Sequence, residues 1–295
     1  MPTPIFQLAC IAVLGFAYAF LFAKTPREKR RALAIEAVLI AVTSWLGEET
    51  SILRYRFYAY PDTWWLKLDE VPLLVVAIWP MVVLSSRQIV DTLFPTLITR
   101  PLARAAVVGL AVVIDASLVE TIAVASDLWH WVEGGYLGAP LIGLIGWGAN
   151  AFAITLATTW PPLATTLNGP LSRLPRPLGC VLTPLVATAI THLVLVVAWW
   201  VFFRHVLRDT LPSWTLAVTL TLAIGGTLAL YRRAPRIPLT LAIPRIAATS
   251  VFVALLASHI PSHVASDPHA AALPLLVGHF AAIALPYLAL MAWSA

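Results

Sequence analysis

Between Arg104 and Ser126 the chain reads RAAVVGLAVVIDASLVETIAVAS. At about 1.5 Å per residue, a helix of that length covers the roughly 30 Å of a bilayer's hydrocarbon layer. Apolar residues occupy every side of such a helix, so no continuous polar face is left for water. Comparable runs occur at roughly 4–23, 32–50, 70–86, 139–160, 180–203, 214–231, 238–258 and 271–293. The reading is an all-α, polytopic helical membrane protein with about nine transmembrane helices. The count falls to eight if the run at 238–258, interrupted by Pro244 and Arg245, is re-entrant.

Composition excludes the competing classes. Residues are 60% hydrophobic and only 11% charged, with mean hydropathy +0.87, which no water-facing surface tolerates. The runs are continuous and lack the alternation of an outer-membrane barrel strand. Neither a linker nor a fixed-period repeat divides them, so residues 1–295 read as one integral membrane domain. The first run has no basic segment before it and no small-residue cleavage pattern after it, and reads as a retained span. Two cysteines, Cys10 and Cys180, have no metal or redox spacing and read as packing residues. The connectors at 87–103 and 161–179 contain Pro and Arg and read as interfacial loops.

Net charge is +5, but its distribution is the informative quantity, and it calls for no nucleic-acid partner. If the connector Lys24–Arg31 is cytoplasmic, that side carries fourteen of the nineteen Lys and Arg, Arg245 among them, against five (Arg54, Arg56, Lys67, Arg204, Arg208) on the other. The asymmetry places the N-terminus outside and the C-terminus inside a bacterial or archaeal cytoplasmic membrane.

Carboxylates inside such spans are expensive and mark function by default. Glu48 and Glu49 close the second run, and Asp115 and Glu120 lie within the fourth. At about 100° per residue, adjacent Glu48 and Glu49 diverge, so at most one readily faces a common cavity, and Asp115 and Glu120 lie some 140° apart; one of each pair is expected to be functional while its neighbour caps, pairs or snorkels. Arg54 and Arg56 are the nearest cations in sequence. A desolvated carboxyl without a cation favours its neutral form, the state a general acid needs. Glu36 and Asp91 read as ordinary interfacial partners of cytoplasmic arginines. The aromatic connector from Tyr55 to Trp65, together with Trp129, Trp131 and Tyr136, suits an interfacial belt; the same ring faces also stabilise carbocations.

His259, His263 and His269 offer weak metal spacing, because Pro261 is expected to break the helix that would align the first two. His192 and His279 read as hydrogen-bonded packing residues. Walker, dinucleotide and nucleophile-elbow motifs are missing, so no metal and no cofactor is expected.

Two stretches together resemble the integral membrane carotenoid hydratases, the family of carotenoid 1',2'-hydratase and bisanhydrobacterioruberin hydratase. The first runs from Gly47-Glu48-Glu49-Thr50-Ser51-Ile52 through Tyr58-Ala59-Tyr60 to Val71-Pro72 and Trp79. The second joins Asp115 and Glu120 to Leu128-Trp129-His130-Trp131, Gly134-Gly135-Tyr136, Pro140 and Gly146-Trp147. The similarity covers about residues 40–150; the C-terminal half adds only hydrophobic spans.

The resemblance implies water addition to a terminal isoprenoid double bond of an acyclic or monocyclic carotenoid, without a redox cofactor. On that reading Glu48, Glu49 or Asp115 supplies the proton and Glu120 is the second carboxylate. Tyr60, Trp129 and Trp131 stabilise the cation, and Tyr58, Trp79, Tyr136 and Trp147 complete the substrate lining. The partners are a lipid-soluble polyene and membrane lipids. Two rivals remain: a membrane terpene or carotenoid cyclase begun by the same protonation, and a non-catalytic transporter or subunit, for which Pro80, Pro244 and Pro286 would break helices near the midplane.

Overall fold

The computed structural model describes residues 3–135, 137–159, 176–198, 200, 238–263 and 272–292. Eight α-helices are described: α1 (Thr3–Lys24), α2 (Arg27–Thr50), α3 (Leu73–Leu93), α4 (Pro101–Ala125), α5 (Leu141–Thr159), α6 (Arg176–Val196), α7 (Leu239–His263) and α8 (Ala272–Ala292). Six of them are long and apolar enough to cross a membrane among the described residues. This is an all-α polytopic helical membrane protein. The run at 214–231 and most of the connector at 161–179 lie outside the described residues.

Several boundaries differ from the sequence reading, for one physical reason. Pro80, Pro184, Pro244, Pro261 and Pro286 all lie inside helices that continue through them. Buried in lipid or protein, a helix loses more by unwinding and exposing unpaired backbone groups than by forgoing one hydrogen bond. Pro261 thus does not break the helix before His263. Separately, α3 runs on to Leu93, and the connector expected at 87–103 shrinks to a 3₁₀ turn, Pro95–Leu97, before α4 begins.

Helices α4 and α5 pack most closely because glycines face each other at their crossing. A Cβ on Gly109 would stand 2.8 Å from the Gly148 carbonyl oxygen, and one on Gly148 3.0 Å from that of Gly109, the small-residue contact that lets membrane helices approach backbone to backbone. At the basic end, Glu36 on α2 pairs with Arg87 on α3 at 2.5 Å, and Asp91 pairs with Arg104, as expected of interfacial pairs.

The opposite end carries the only strands among the described residues. β1 (Tyr58–Ala59) and β4 (His130–Trp131) pair antiparallel, with Tyr58 opposite Trp131. β2 (Lys67–Leu68) and β3 (Val71–Pro72) form a hairpin closed by Asp69-Glu70. A π-helical turn, Ser51–Tyr55, extends α2 and ends at Arg56 with φ 53°; Asp127 ends α4 similarly with φ 55°. Both left-handed residues turn the chain back over the helix ends, so the two connectors meet as β1 and β4. From α1, Gln7 donates to Thr63 O at 3.0 Å and accepts from Trp65 N at 3.0 Å, holding this cap against the bundle.

Candidate active site

Beneath the cap lies an apolar cavity of about 220 Å³ lined by residues of all eight helices and both connectors. Three carboxylates reach it: Glu48 from α2, and Asp115 and Glu120 from α4.

Glu48 is held by three aromatic donors. Tyr58 Oη donates to its Oε2, Tyr60 Oη donates to the same oxygen at 2.9 Å, and Trp79 Nε1 donates to Oε1 at 3.0 Å. Glu120, 1% exposed, has a second cage of the same kind. Trp129 and Trp131 donate to its Oε2 at 2.9 and 3.1 Å, and Trp147 donates to Oε1 at 2.7 Å. The two cages share walls. Tyr58 lies 4.7 Å from Trp131 between ring centroids, Tyr60 lies 6.0 Å from Trp129, and Trp79 lies 4.9 Å from Trp147.

Local sequence explains the geometry. Trp129 and Trp131 sit two apart just beyond the end of α4, and both donate back to one acceptor on that helix. Trp131 also needs Gly143, since a Cβ there would stand 2.6 Å from Trp131 Cζ2. Burial pushes the phenols of Tyr58 and Tyr60 well above their ordinary value of 10. Both therefore remain O–H donors at neutral pH.

Residues paired in sequence separate in space. Glu49 is buried but does not line the cavity; its Oε2 accepts from Glu70 N at 3.3 Å. Asp115 and Glu120, by contrast, both line the cavity despite their angular separation. Asp115 is an ion-pair partner: Arg245 Nη1 donates to its two oxygens at 2.7 and 2.8 Å, while Nε donates to Ser85 Oγ at 3.1 Å and Nη2 to Ser86 Oγ. Arg245 is 8% exposed and faces the cavity, which removes it from the cytoplasmic charge count and gives the C-terminal half a polar contribution the sequence reading did not assign. Arg54 and Arg56 are exposed and make none of the ion pairs seen among the described residues.

Tyr136 and His269 lie outside the described residues, as do the side chains of His259 and His263. His192 bonds Thr50 Oγ1 at 2.5 Å, and His279 donates to Ser117 O at 2.9 Å, both as packing residues. Cys10 is buried, whereas Cys180 is exposed rather than packed. Asn150, which the sequence reading passed over, lines the cavity beside Gly47 and Trp147.

Neither curated proteins nor solved structures yield a significant match to the chain. A family model described as carotenoid biosynthesis protein matches residues 5–208, reaching well beyond 40–150 on both sides and including both carboxylate cages. The chain belongs to the carotenoid biosynthesis protein family.

Proposed function

We propose that this protein is a cofactor-independent carotenoid hydratase that adds water to a terminal isoprenoid double bond. The observation that carries the reading is the pair of carboxyls, Glu48 and Glu120, each held by three aromatic donors and both facing one apolar cavity.

The donor chemistry gives them different tasks. Indole N–H groups only donate, so three of them around Glu120 suit a carboxylate whose oxygens only accept. Phenol O–H groups rotate and also accept, so Tyr58 and Tyr60 leave room for a proton on Glu48. The cation that faces the cavity, Arg245, is already paired with Asp115, and a buried carboxyl without an ion partner of its own is cheaper to keep neutral than ionised. Glu48 is accordingly the proton donor and Glu120 the fixed negative charge.

The step balances without a co-reactant. The Glu48 O–H proton forms a C–H bond at the less substituted alkene carbon, leaving a tertiary cation on its neighbour. The rings of Tyr58, Tyr60, Trp129 and Trp131 and the charge of Glu120 stabilise that cation. A water oxygen then bonds to it, and the proton that water releases restores Glu48. Trp79 and Trp147 orient the two carboxyls. Neither Glu49, which does not line the cavity, nor ion-paired Asp115 is needed as the acid. A cavity of about 220 Å³ suits one end group, with the rest of the polyene left in lipid.

The test is expression in a bacterium that accumulates lycopene, with extracted pigments weighed by mass spectrometry against an empty-vector control. A product heavier by one water with its chromophore retained is expected. An isomer of unchanged mass would instead assign the protein to the cyclases.

A further inference from the structure

Asn150 is 5% exposed, stands on the α5 face that lines the cavity, and is only half satisfied. Its Nδ2 donates to Ser44 Oγ at 3.1 Å. Its Oδ1 accepts no hydrogen bond from any described residue. A buried amide carbonyl left without a partner is costly, so such an atom in a cavity wall calls for an explanation.

Position supplies one. Ser44, which anchors the amide, lies one turn before Glu48 on α2, so the two share a helix face. Trp147, which holds Glu120, lies one turn before Asn150 on α5. The amide therefore joins the α5 face that carries Trp147 to the α2 face that carries Glu48. Space beside Oδ1 is left open by Gly47: a Cβ built there would stand 3.6 Å from Oδ1, at ordinary contact. A side chain at Gly47 would thus fit without moving the backbone, yet would take the room next to the carbonyl.

We propose that Asn150 Oδ1 is the acceptor that holds and aims the attacking water, making Asn150 the positioning residue that commits the cation to hydration. The inference rests on the hydration reading above. Water donates a hydrogen bond to Oδ1 through one O–H, which the product keeps, turns a lone pair toward the tertiary carbon, and after the C–O bond forms gives its other proton to Glu48. Without this anchor the same cation can only lose a proton and return to alkene.

The two fates are separable in deuterium oxide. Protonation followed by return leaves carbon-bound deuterium in recovered alkene, whereas capture gives hydrated product. The experiment uses the full chain in lipid vesicles containing lycopene, comparing the unaltered protein, Asn150→Leu and Gly47→Ala. The ratio of hydrated product to deuterated recovered alkene is expected to fall about 100-fold in Asn150→Leu and in the same direction in Gly47→Ala, while exchange persists.

An unchanged ratio in both folded variants overturns the proposal. So does parallel loss of hydration and exchange, which would make Asn150 merely structural. If Asn150→Leu does not fold, Gly47→Ala decides alone, because its Cβ meets only ordinary contact. Neither hydration nor exchange by the unaltered protein would overturn the hydration reading itself, and this inference with it.

Discussion

Gly143 is the most economical place to test the Glu120 cage. A Cβ added there would stand 2.6, 3.0 and 3.2 Å from three atoms of the Trp131 indole, whereas carbon atoms prefer about 3.5–4.0 Å. The ring must therefore yield by about 1 Å. Trp131 Nε1 already donates to Glu120 Oε2 at 3.1 Å, near the long limit of an N–H···O bond, so a shift of that size ends it. Losing one hydrogen bond to a charged group costs about 1.5–3 kcal/mol, which predicts a fall of about 10- to 100-fold in turnover for Gly143→Ala. Gly134, in the same connector, has nothing within 4 Å of an added Cβ, so Gly134→Ala is the matched control. The assay is initial rate of pigment conversion in vesicles at equal protein content, with tryptophan fluorescence to register the indole's move. Full activity in Gly143→Ala, or equal loss in both variants, would refute the reasoning.

Three further outcomes follow from other contacts. Removing either partner of the Asp115–Arg245 pair strands a buried charge and should destabilise by about 3–5 kcal/mol, whereas Asp115→Leu with Arg245→Met should cost much less than the two singles summed; thermal unfolding in detergent measures it, and additive losses would contradict the pairing. Tyr58 and Tyr60 have phenols raised above 10 by burial, so their stabilising effect is complete below about pH 10 and is lost as pH rises past that point, because the unfolded chain ionises first. Thermal stability should decline from about pH 10 upward, and Tyr58→Phe with Tyr60→Phe should flatten that decline; an unchanged slope would sink the claim. The charge asymmetry predicts that the Lys24–Arg31 turn faces the cytoplasm, so a cysteine placed at Thr25 should resist an impermeant thiol reagent in whole cells, and rapid labelling would reverse the orientation.

How much of this could be read from residues alone depends on range along the chain. Helices show themselves locally through apolar length, and Glu48, Glu120 and the aromatic connectors stand out because polar groups in lipid are costly. Angular arithmetic also separates Glu48 from Glu49. It cannot say which helices are neighbours, so it allows that one of Asp115 and Glu120 is paired but cannot name the partner, which is Arg245. Arg245 is invisible as a partner of Asp115 because it lies 130 positions away in sequence, and a Pro-Arg pair reads as an interruption until a carboxylate is found opposite it. Pro261 also reads as a stop in sequence, yet α7 continues through it to His263. Asn150 carries no local signal at all; only Ser44, 106 residues away, and the bare face of Gly47 give it meaning.

The central claim, that Glu48 and Glu120 together convert an alkene to an alcohol, is tested most directly in one pigment extraction. Lycopene-accumulating cells carrying the unaltered protein, Glu48→Gln or Glu120→Gln, matched for membrane expression, are compared by mass spectrometry. The water adduct should form with the unaltered protein and vanish with either amide. The same adduct at full yield from both variants would contradict the account.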